Sequence, residues 1–592
     1  MIKDLIYPFD NVHILKNKRR LKKELLNTDN LIKKKIALLS GTTIGEIKNI
    51  LELFLLNYGI EPIFYEGDYG LFYEDAVFQN DILEKFQPDI IYIHTSNKNI
   101  NEYPSFSDSQ EDNEKLAEDT FSKFKMIWDT AKRKYGAVII QNNFEMLPYR
   151  IMGNADCYRQ NGGHTFLNEL NCRMYAYANS VSGFYVNDIN YLSACYGLDR
   201  WMDSVQWYLY KYSQSIEAIP TLCYNIANII KAIYGKNKKA LALDLDNTLW
   251  GGVIGDDGVD NIALGKEDGQ GLAYFDFQQY LKRLQGAGIM LNVCSKNTRE
   301  IAQTGFEHPA SKLKTEDFIC FEANWEPKHI NIKRIAEKLN ILPESIVFAD
   351  DNPAEREIVE GFIPSVAIPE LSKPEEYIRE IDAHSFFEVT DISADDLKRN
   401  EYYAQNVQRQ EVEQSFEDYE DYLKSLEMKC FIDCFNEQNY KRVTQLINKT
   451  NQFNFTTDRY TEDEVLKVTE QDNSICICGR LTDKFGDNGI VTAMIGNIED
   501  AVATIDLWVM SCRTFKRDLE FVMFRQFVKI CKQKNVKSIR GIYRPTKKNV
   551  ILRDFYCELN FDILSVNDKE CLYSMDVDKY VEKPYPMEVI GQ

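Results

Sequence analysis

No stretch of about 18 consecutive apolar residues, the length that crosses a bilayer as a helix, occurs in this 592-residue sequence, so no helical membrane span is expected. The beginning of the chain lacks the charged-then-apolar pattern of a secretory signal. Cysteine is present in 14 copies but forms no framework. Cys430-x3-Cys434 and Cys476-x-Cys478 have no second matching pair, which argues against a zinc site. Several thiols, such as Cys223, Cys294 and Cys476, lie in apolar runs, the pattern of reduced thiols in a cytoplasm. Cations are the minority sign, 70 Lys and Arg against 91 Asp and Glu, and a net charge of −21 argues against nucleic acid as the main partner. The exception is the cluster Lys16, Lys18, Arg19, Arg20, Lys22 and Lys23, read as a solvated helix face, with a docking patch for an acidic carrier protein as the alternative. There is no short-period repeat and no low-complexity tract.

What is there is ample for packed cores: 44% hydrophobic and 12% aromatic residues over a length that suggests roughly three to five domains. From Ile36 to about Gly235 strand-like runs at 35–40, 63–65, 89–94, 137–141 and 184–186 alternate with helical periodicity, as at 44–56. Residues 103–113, rich in Ser, Asp and Glu, read as a surface loop. A second α/β segment spans about 236–387, with an amphipathic helix over 274–284 stopped near Gly286 and Gly288. Residues 388–428 read as one or two charged helices linking domains. From 429 onwards strand-like runs at 474–478, 490–495 and 503–510 precede a clear helix at 521–534.

The chemistry concentrates in the second segment. Asp244-Leu245-Asp246-Asn247-Thr248 follows the apolar run 241–243; carboxylates at i and i+2 lie on one side of an extended backbone and can face one substrate. Two later runs end the same way, 289–294 into Ser295-Lys296-Asn297 and 346–349 into Asp350-Asp351-Asn352. In a parallel α/β sheet these three polar clusters converge at the carboxyl edge, where ligands bind. The plain alternative, acids that merely cap helices, leaves that convergence unexplained. Asp244 would attack phosphorus and form an aspartyl-phosphate, and Asp246 would protonate the leaving oxygen and then activate water. Like charges about 4 Å apart cost on the order of 4 kcal/mol at an effective dielectric of about 20, so a hard cation is required and Mg²⁺ is the natural choice. Asp244, the backbone carbonyl of Asp246, and Asp350 or Asp351 would hold it. Ser295 supplies a hydroxyl to a phosphoryl oxygen, and Thr248 would fix the turn after Asp244; Thr248 and Asn297 are further phosphate-binding candidates. The spacing from Thr248 to Ser295 leaves a short flap around 250–258 and no room for a cap domain, an open site suited to a substrate carried on a protein or a long arm.

These motifs resemble the haloacid dehalogenase (HAD) superfamily, subfamily IIIC. Asp244 to Gly258 (DLDNTLWGGVIGDDG), the SKN at 295–297 and the DDNPAERE from Asp350 to Glu357 are similar to the FkbH-like branch. Leu198-Asp199-Arg200-Trp201, the NKTNQFN run at 448–454 and Phe485-Gly486-Asp487-Asn488-Gly489 extend the resemblance over most of the chain. It assigns Asp244 and Asp246 the same roles and implies a phosphoryl-neutralising cation that best matches Lys328, in Trp325-Glu326-Pro327-Lys328; Lys296 competes for that role by sequence alone, though its alternation with Ser295 aims it elsewhere.

The resemblance implies an α/β protein of three domains: an SGNH-hydrolase-like α/β domain at 1–235, a central HAD-type Rossmann-like parallel sheet at 236–387, and, after the linker 388–428, a GNAT-like α+β acyltransferase domain at 429–592. Ser40-Gly41-Thr42-Thr43 stands where an SGNH nucleophile would, but Gln206 stands where its His should fall, and His164 has Asn161 rather than Asp before it. Asn97 and Asn154 are either oxyanion contacts or ordinary turn residues. The first domain therefore reads as substrate or carrier recognition. In the last domain the loop Cys512-Arg513-Thr514-Phe515-Lys516-Arg517-Asp518 has no glycine, which counts against coenzyme A and leaves Arg513, Lys516 and Arg517 as side chains for a phosphate. Asn549, Phe555-Tyr556 and Phe561 match the GNAT-like later segment, with Tyr556 as general acid or as a packed aromatic. Cys294 and Cys512 are candidate acyl carriers, or buried structural thiols. The expected activity is a Mg²⁺-dependent phosphatase that dephosphorylates a phosphorylated three-carbon, glycerate-derived metabolite and loads the glyceryl unit onto an acyl carrier protein. The alternatives are a stand-alone phosphomonoesterase with adaptor domains, a non-catalytic scaffold, and a GNAT-type N-acyltransferase of surface polysaccharide biosynthesis. The location is expected to be cytoplasmic.

Overall fold

A computed structural model describes residues 2–590 except 28–30, 268, 393 and 568; the outer ends of the first and last expected domains, residues 1 and 592, lie outside it. The chain divides into two compact units, Met1–Ile233 with Thr461–Val465, and Tyr234–Tyr460 with Leu466–Gln592.

The first unit is built on five strands, β1 (Ile32–Ser40), β2 (Ile60–Glu66), β3 (Ile90–His94), β4 (Val138–Asn142) and β5 (Phe184–Asn187), all parallel and ordered β2-β1-β3-β4-β5. Near-continuous burial of β3 and β4 explains their unbroken apolar sequence, since helices cover both faces of a parallel sheet. The basic cluster lies on helix α1 (Asn11–Leu25), where Lys18 pairs with Glu46 and Lys22 with Glu52 on α2 (Gly45–Asn57). It is a solvated, partnered face. Helix α3 (Gln110–Tyr135) starts inside the expected loop, because Ser109 and Asp112 form a reciprocal capping box. Helices α4 (Gly163–Ser180) and α5 (Ile219–Ile233) complete the unit's main cover.

The second unit carries two sheets. The central one has strands β6 (Ala240–Leu243), β7 (Met290–Ser295), β8 (Phe318–Ala323) and β9 (Ile346–Ala349), parallel and ordered β8-β7-β6-β9. Alternate residues feed two cores, Leu241, Leu291 and Val347 on one face and Ala242, Met290 and Phe348 on the other. Helix α6 (Gly269–Gly286) is longer than its apolar stripe and ends before Gly288, whose φ of +89° only glycine adopts freely. Between β6 and α6 lies only a short flap, held by a bridge between Gly251 and Ala263. Helices α7 (Lys328–Lys338) and α8 (Pro353–Phe362) follow β8 and β9, and the charged segment forms α9 (Arg399–Glu413) and α10 (Tyr419–Ser425).

The C-terminal sheet is mixed. It contains β10 (Met428–Cys434), β11 (Phe453–Asn454), β12 (Ser474–Asp483), β13 (Gly486–Glu499), β14 (Val502–Met510), β15 (Ser538–Tyr543), β16 (Asp562–Val566), β17 (Cys571–Asp576) and β18 (Met587–Ile590), with α11 (Tyr440–Lys449) and α12 (Leu519–Gln533) among its helices. β14 runs parallel to β15 only through Val502–Ile505; its last two residues pair instead with the two-residue β11. All 14 cysteines are free thiols, and among the described residues no helix is long and apolar enough to cross a membrane.

Candidate active site

Parallel register places the acids. Leu243 of β6 is level with Ala349 of β9, so the next residues, Asp244 and Asp350, leave the sheet side by side, and the Asp244 amide still donates to the Ala349 carbonyl at 3.0 Å. One carboxylate oxygen from each of Asp244, Asp350 and Asp351 lies within 4.8 Å of the others. Lys328, the first residue of α7, brings its buried ammonium between two of them, 2.7 Å from Asp244 Oδ2 and in contact with Asp350 Oδ2. Burial opposes the lysine's charge, but the two carboxylates outweigh it and hold the ammonium well above its ordinary range. Asp350 is pushed up to about 6, by burial first and then by Asp244, against the pull of Lys328; Asp351 moves up for the same two reasons. Three crowded carboxylates against one ammonium leave a surplus of negative charge. The donors are hard oxygens, so the site fits a hard divalent cation.

Asp246 stays outside that cluster. Its Oδ1 accepts from Trp250 Nε1 at 2.9 Å and from the Ile254 amide at 3.0 Å, and Asn297 Nδ2 reaches its Oδ2 at 3.4 Å. Burial raises its pKa, which favours a group that must carry a proton. Thr248 donates through its hydroxyl to Asp351 Oδ1 at 3.2 Å and accepts from the Asp351 amide at 3.3 Å, so it braces the acidic loop. Ser295 ends β7, buried, with its carbonyl accepting from the Asn324 amide at 3.2 Å. Lys296 faces away and pairs with Glu355 at 2.6 Å, which leaves Lys328 as the ammonium among the acids.

Trp250 is the contributor that the motif alone hides. It is fully buried, set edge-on to Phe306, and fits only because Gly305 carries no side chain: a Cβ there would stand 2.5 Å from the indole. Its spacing of four from Asp246 was the available signal. Trp250→Phe is expected to keep the fold, cost about 1 kcal/mol for the lost hydrogen bond, and lower turnover about ten-fold by freeing Asp246. Steady-state kinetics beside thermal unfolding check it; unchanged turnover would remove Trp250 from the account.

Raised carboxylate pKa values also predict how stability depends on pH. The folded chain holds the Asp350 proton more tightly than an unfolded one, whose ordinary value is 3.8, so in the absence of a cation this contribution is present below about 4 and is lost as pH rises through about 6. Mg²⁺ compensates only the ionised form. It should therefore raise the thermal midpoint more at about pH 7 than at about pH 5, and equal shifts at both would contradict the carboxylate assignment.

The remaining expected residues lie elsewhere. Cys294 turns to the α7 side of β7, where its buried thiol faces the Lys328 carbonyl at 3.6 Å and burial pushes its pKa up, the setting of a structural thiol. Cys512 follows β14, half-buried near the Tyr403 hydroxyl at 3.9 Å. Arg513 is buried with its guanidinium 4.5 Å from the Tyr402 ring centroid, Lys516 is exposed, and Arg517 pairs with the buried Asp483 at 3.2 Å. Tyr556 is fully buried against Gly541, Phe455, Phe561 and Tyr573, with its hydroxyl pushed up by burial, the setting of a packed aromatic. In the first unit Ser40 turns its hydroxyl back to Thr42, and the buried His94, pushed down to about 3 by burial, meets Ser213, Tyr92 and Asn142 but no carboxylate among the described residues. His164 contacts the Leu147 carbonyl at 3.1 Å. Asn97 is buried and donates to the sequence-distant carbonyls of Glu145 and Met146, while Asn154 accepts locally from Arg150 at 2.8 Å.

Acids at adjacent carboxyl ends of a parallel sheet, joined by a lysine from the next helix, define a HAD-type phosphatase centre. The family described as "FkbH, N-terminal domain" matches residues 56–231. A crystal structure of the N-terminal part of a Bacteroides fragilis protein, containing a phosphatase domain and complexed with Mg, is 32% identical; the match covers 64% of this chain and 99% of that one, with a TM-score of 0.59. The chain belongs to the FkbH-like family. The Escherichia coli ribosomal-protein-S18-alanine N-acetyltransferase (10% identity, 26% of this chain, 99% of that one, TM-score 0.21) and a Thermoplasma acidophilum PaiA N-acetyltransferase in complex with coenzyme A (11%, 25%, 98%, 0.21) are too distant to carry an argument. No curated protein matches.

Proposed function

We propose that this chain is a Mg²⁺-dependent phosphatase that removes the phosphate ester of a phosphorylated three-carbon, glycerate-derived acyl phosphate, and that the thiol of an acyl carrier protein takes the glyceryl unit by attack on the acyl carbon, which breaks the acyl-phosphate bond and releases its phosphate. The observation that carries the phosphatase part is the convergence of Asp244, Asp350 and Asp351 on one point with Lys328 between them. Asp244 takes the phosphoryl group; Lys328 neutralises a phosphoryl oxygen and keeps Asp244 ionised and aimed; Ser295 donates a hydroxyl to a second oxygen. Asp246, held by Trp250 and the Ile254 amide, gives its proton to the leaving oxygen and then takes one from water. Bound Mg²⁺, held by Asp244, the Asp246 carbonyl, Asp350 and Asp351, would neutralise the surplus charge and polarise the phosphoryl group. Support for that choice of metal comes from the donor set and from the Mg-complexed Bacteroides fragilis relative.

The carrier part rests on family membership and on the short flap, which leaves no cap domain over the acids. In this reading the first unit recognises substrate or carrier. Coenzyme A is not part of the proposal: the loop after β14 has no glycine, and the last two residues of β14 already pair with β11. The test is to mix the chain with Mg²⁺, a glycolytic acyl-phosphate donor and a candidate carrier, then follow phosphate and the intact mass of the carrier. A glyceryl mass on the carrier, absent with Asp244→Asn, is expected. Phosphate release that needs Asp244 but never loads a carrier would favour a stand-alone phosphomonoesterase.

A further inference from the structure

The second unit contains a cavity of about 100 Å³ that the phosphatase chemistry does not use. It lies at the other edge of the central sheet from the acids. Lys239 and Ser345, which line it, immediately precede β6 and β9, the strands whose opposite ends deliver Asp244 and Asp350. The remaining walls come from α9, α11 and the segment that follows β14, so sequence-distant pieces of the unit meet there.

Charge marks this cavity. Among the described residues five cations line it, Lys239, Arg399, Arg442, Lys449 and Arg513, against the carboxylate of Asp396. That carboxylate is already shared, since its Oδ1 pairs with Lys449 Nζ at 2.8 Å and also with Arg399. The polar partners of Arg513 are neutral: its Nε donates to Ser511 Oγ at 3.3 Å and its Nη2 to the Asn488 carbonyl at 3.5 Å. Lys239 Nζ forms no hydrogen bond or ion pair with any described residue. The surplus shows in the electrostatics of its lysines. Burial first, then Arg399, pushes Lys449 down to about 8 although Asp396 pulls the other way, and Lys239 is pushed down by burial with Arg399 adding to it. Cations gathered out of bulk water are costly unless something of opposite sign completes them.

We propose that this cavity is a binding site for a phosphate-class oxyanion, either free or carried on a larger molecule, held by Lys239, Arg399, Lys449 and Arg513. A single carboxylate ligand would offset only one of the charges that Lys239, Arg399, Lys449 and Arg513 bring to the cavity, whereas a phosphate dianion offers twice the charge and several acceptor oxygens to guanidinium and ammonium donors. The volume is several times what one water needs and admits a tetrahedral ion. Bound there, the ion would tie the central sheet to α11 and the segment after β14, remote from the catalytic acids.

The test is isothermal titration of inorganic phosphate into the full chain at fixed ionic strength with divalent cations chelated. Under that condition the acids at the phosphatase centre repel phosphate, so the cavity is the site read. Saturable binding is expected, weakened at least about ten-fold by Lys239→Met and by Lys449→Met, each of which removes one charge at nearly constant length, about 1.4 kcal/mol or more. Thermal midpoints with phosphate against chloride give a second readout: wild type rises with phosphate, and the two variants do not. Glycerol phosphate in a parallel arm separates the sources; tighter binding than inorganic phosphate indicates an ion carried on a larger molecule, weaker binding a free ion. Absence of saturable binding, an equal effect of chloride, or binding untouched by both substitutions would overturn the proposal.

Discussion

Asp244→Asn is expected to abolish Mg²⁺-dependent phosphate release, by about 10⁴-fold or more, while the chain remains folded. Removing the nucleophile of a covalent mechanism removes the intermediate itself, so the residual rate reflects only binding and electrostatics. The substitution keeps volume and polarity. It deletes one of the two carboxylates that meet Lys328 and leaves the ammonium paired with Asp350, so no buried charge is orphaned. Thermal unfolding beside the phosphate assay separates chemistry from folding: a variant with a near-native midpoint and no release is the expected result, and substantial release would displace Asp244 from its role.

Lys328→Met should be damaging twice over. Among the described residues its ammonium is the one cation seated among Asp244, Asp350 and Asp351, and it is buried together with Asp244 and Asp350. Breaking a buried pair by removing one partner typically costs about 3–5 kcal/mol, and loss of the phosphoryl-neutralising charge should lower turnover about 10³-fold. Lys296→Met is the control. Its ion pair with Glu355 is half exposed, a setting worth about 1 kcal/mol or less, and activity within about two-fold of wild type is expected. If Mg²⁺ restores much of the lost midpoint in Lys328→Met, crowding of the carboxylates is confirmed as the cause. Comparable losses in the two lysine variants would reverse the assignment.

The acids were readable in sequence because a buried parallel strand tolerates polar residues only where it leaves the sheet; three apolar runs with polar ends, at 241–243, 289–294 and 346–349, therefore point to one edge. Strand order and register then make Asp244 and Asp350 neighbours. Alternation with Ser295 already aims Lys296 away from the acids, and the fold supplies the partner, Glu355, that holds it there. Trp250 stayed hidden because its indole reaches Asp246 only once the flap has turned back and Gly305 has made room. The start of α3 was masked by Ser, Asp and Glu, which favour loops and helix N-termini alike. A two-residue strand such as β11 has no periodicity to detect, and the five cations that line the cavity come from positions 239, 399, 442, 449 and 513, which no local pattern connects.

The most direct measurement of the central claim is rapid acid quenching during turnover of a phosphorylated substrate with Mg²⁺, followed by peptide mass mapping. A phosphoryl group on Asp244 is predicted, with greater accumulation in Asp246→Asn, because that variant lacks the base that activates water for the second step. Phosphate release that proceeds with no phosphoryl group on Asp244, in wild type and in Asp246→Asn alike, would contradict the account.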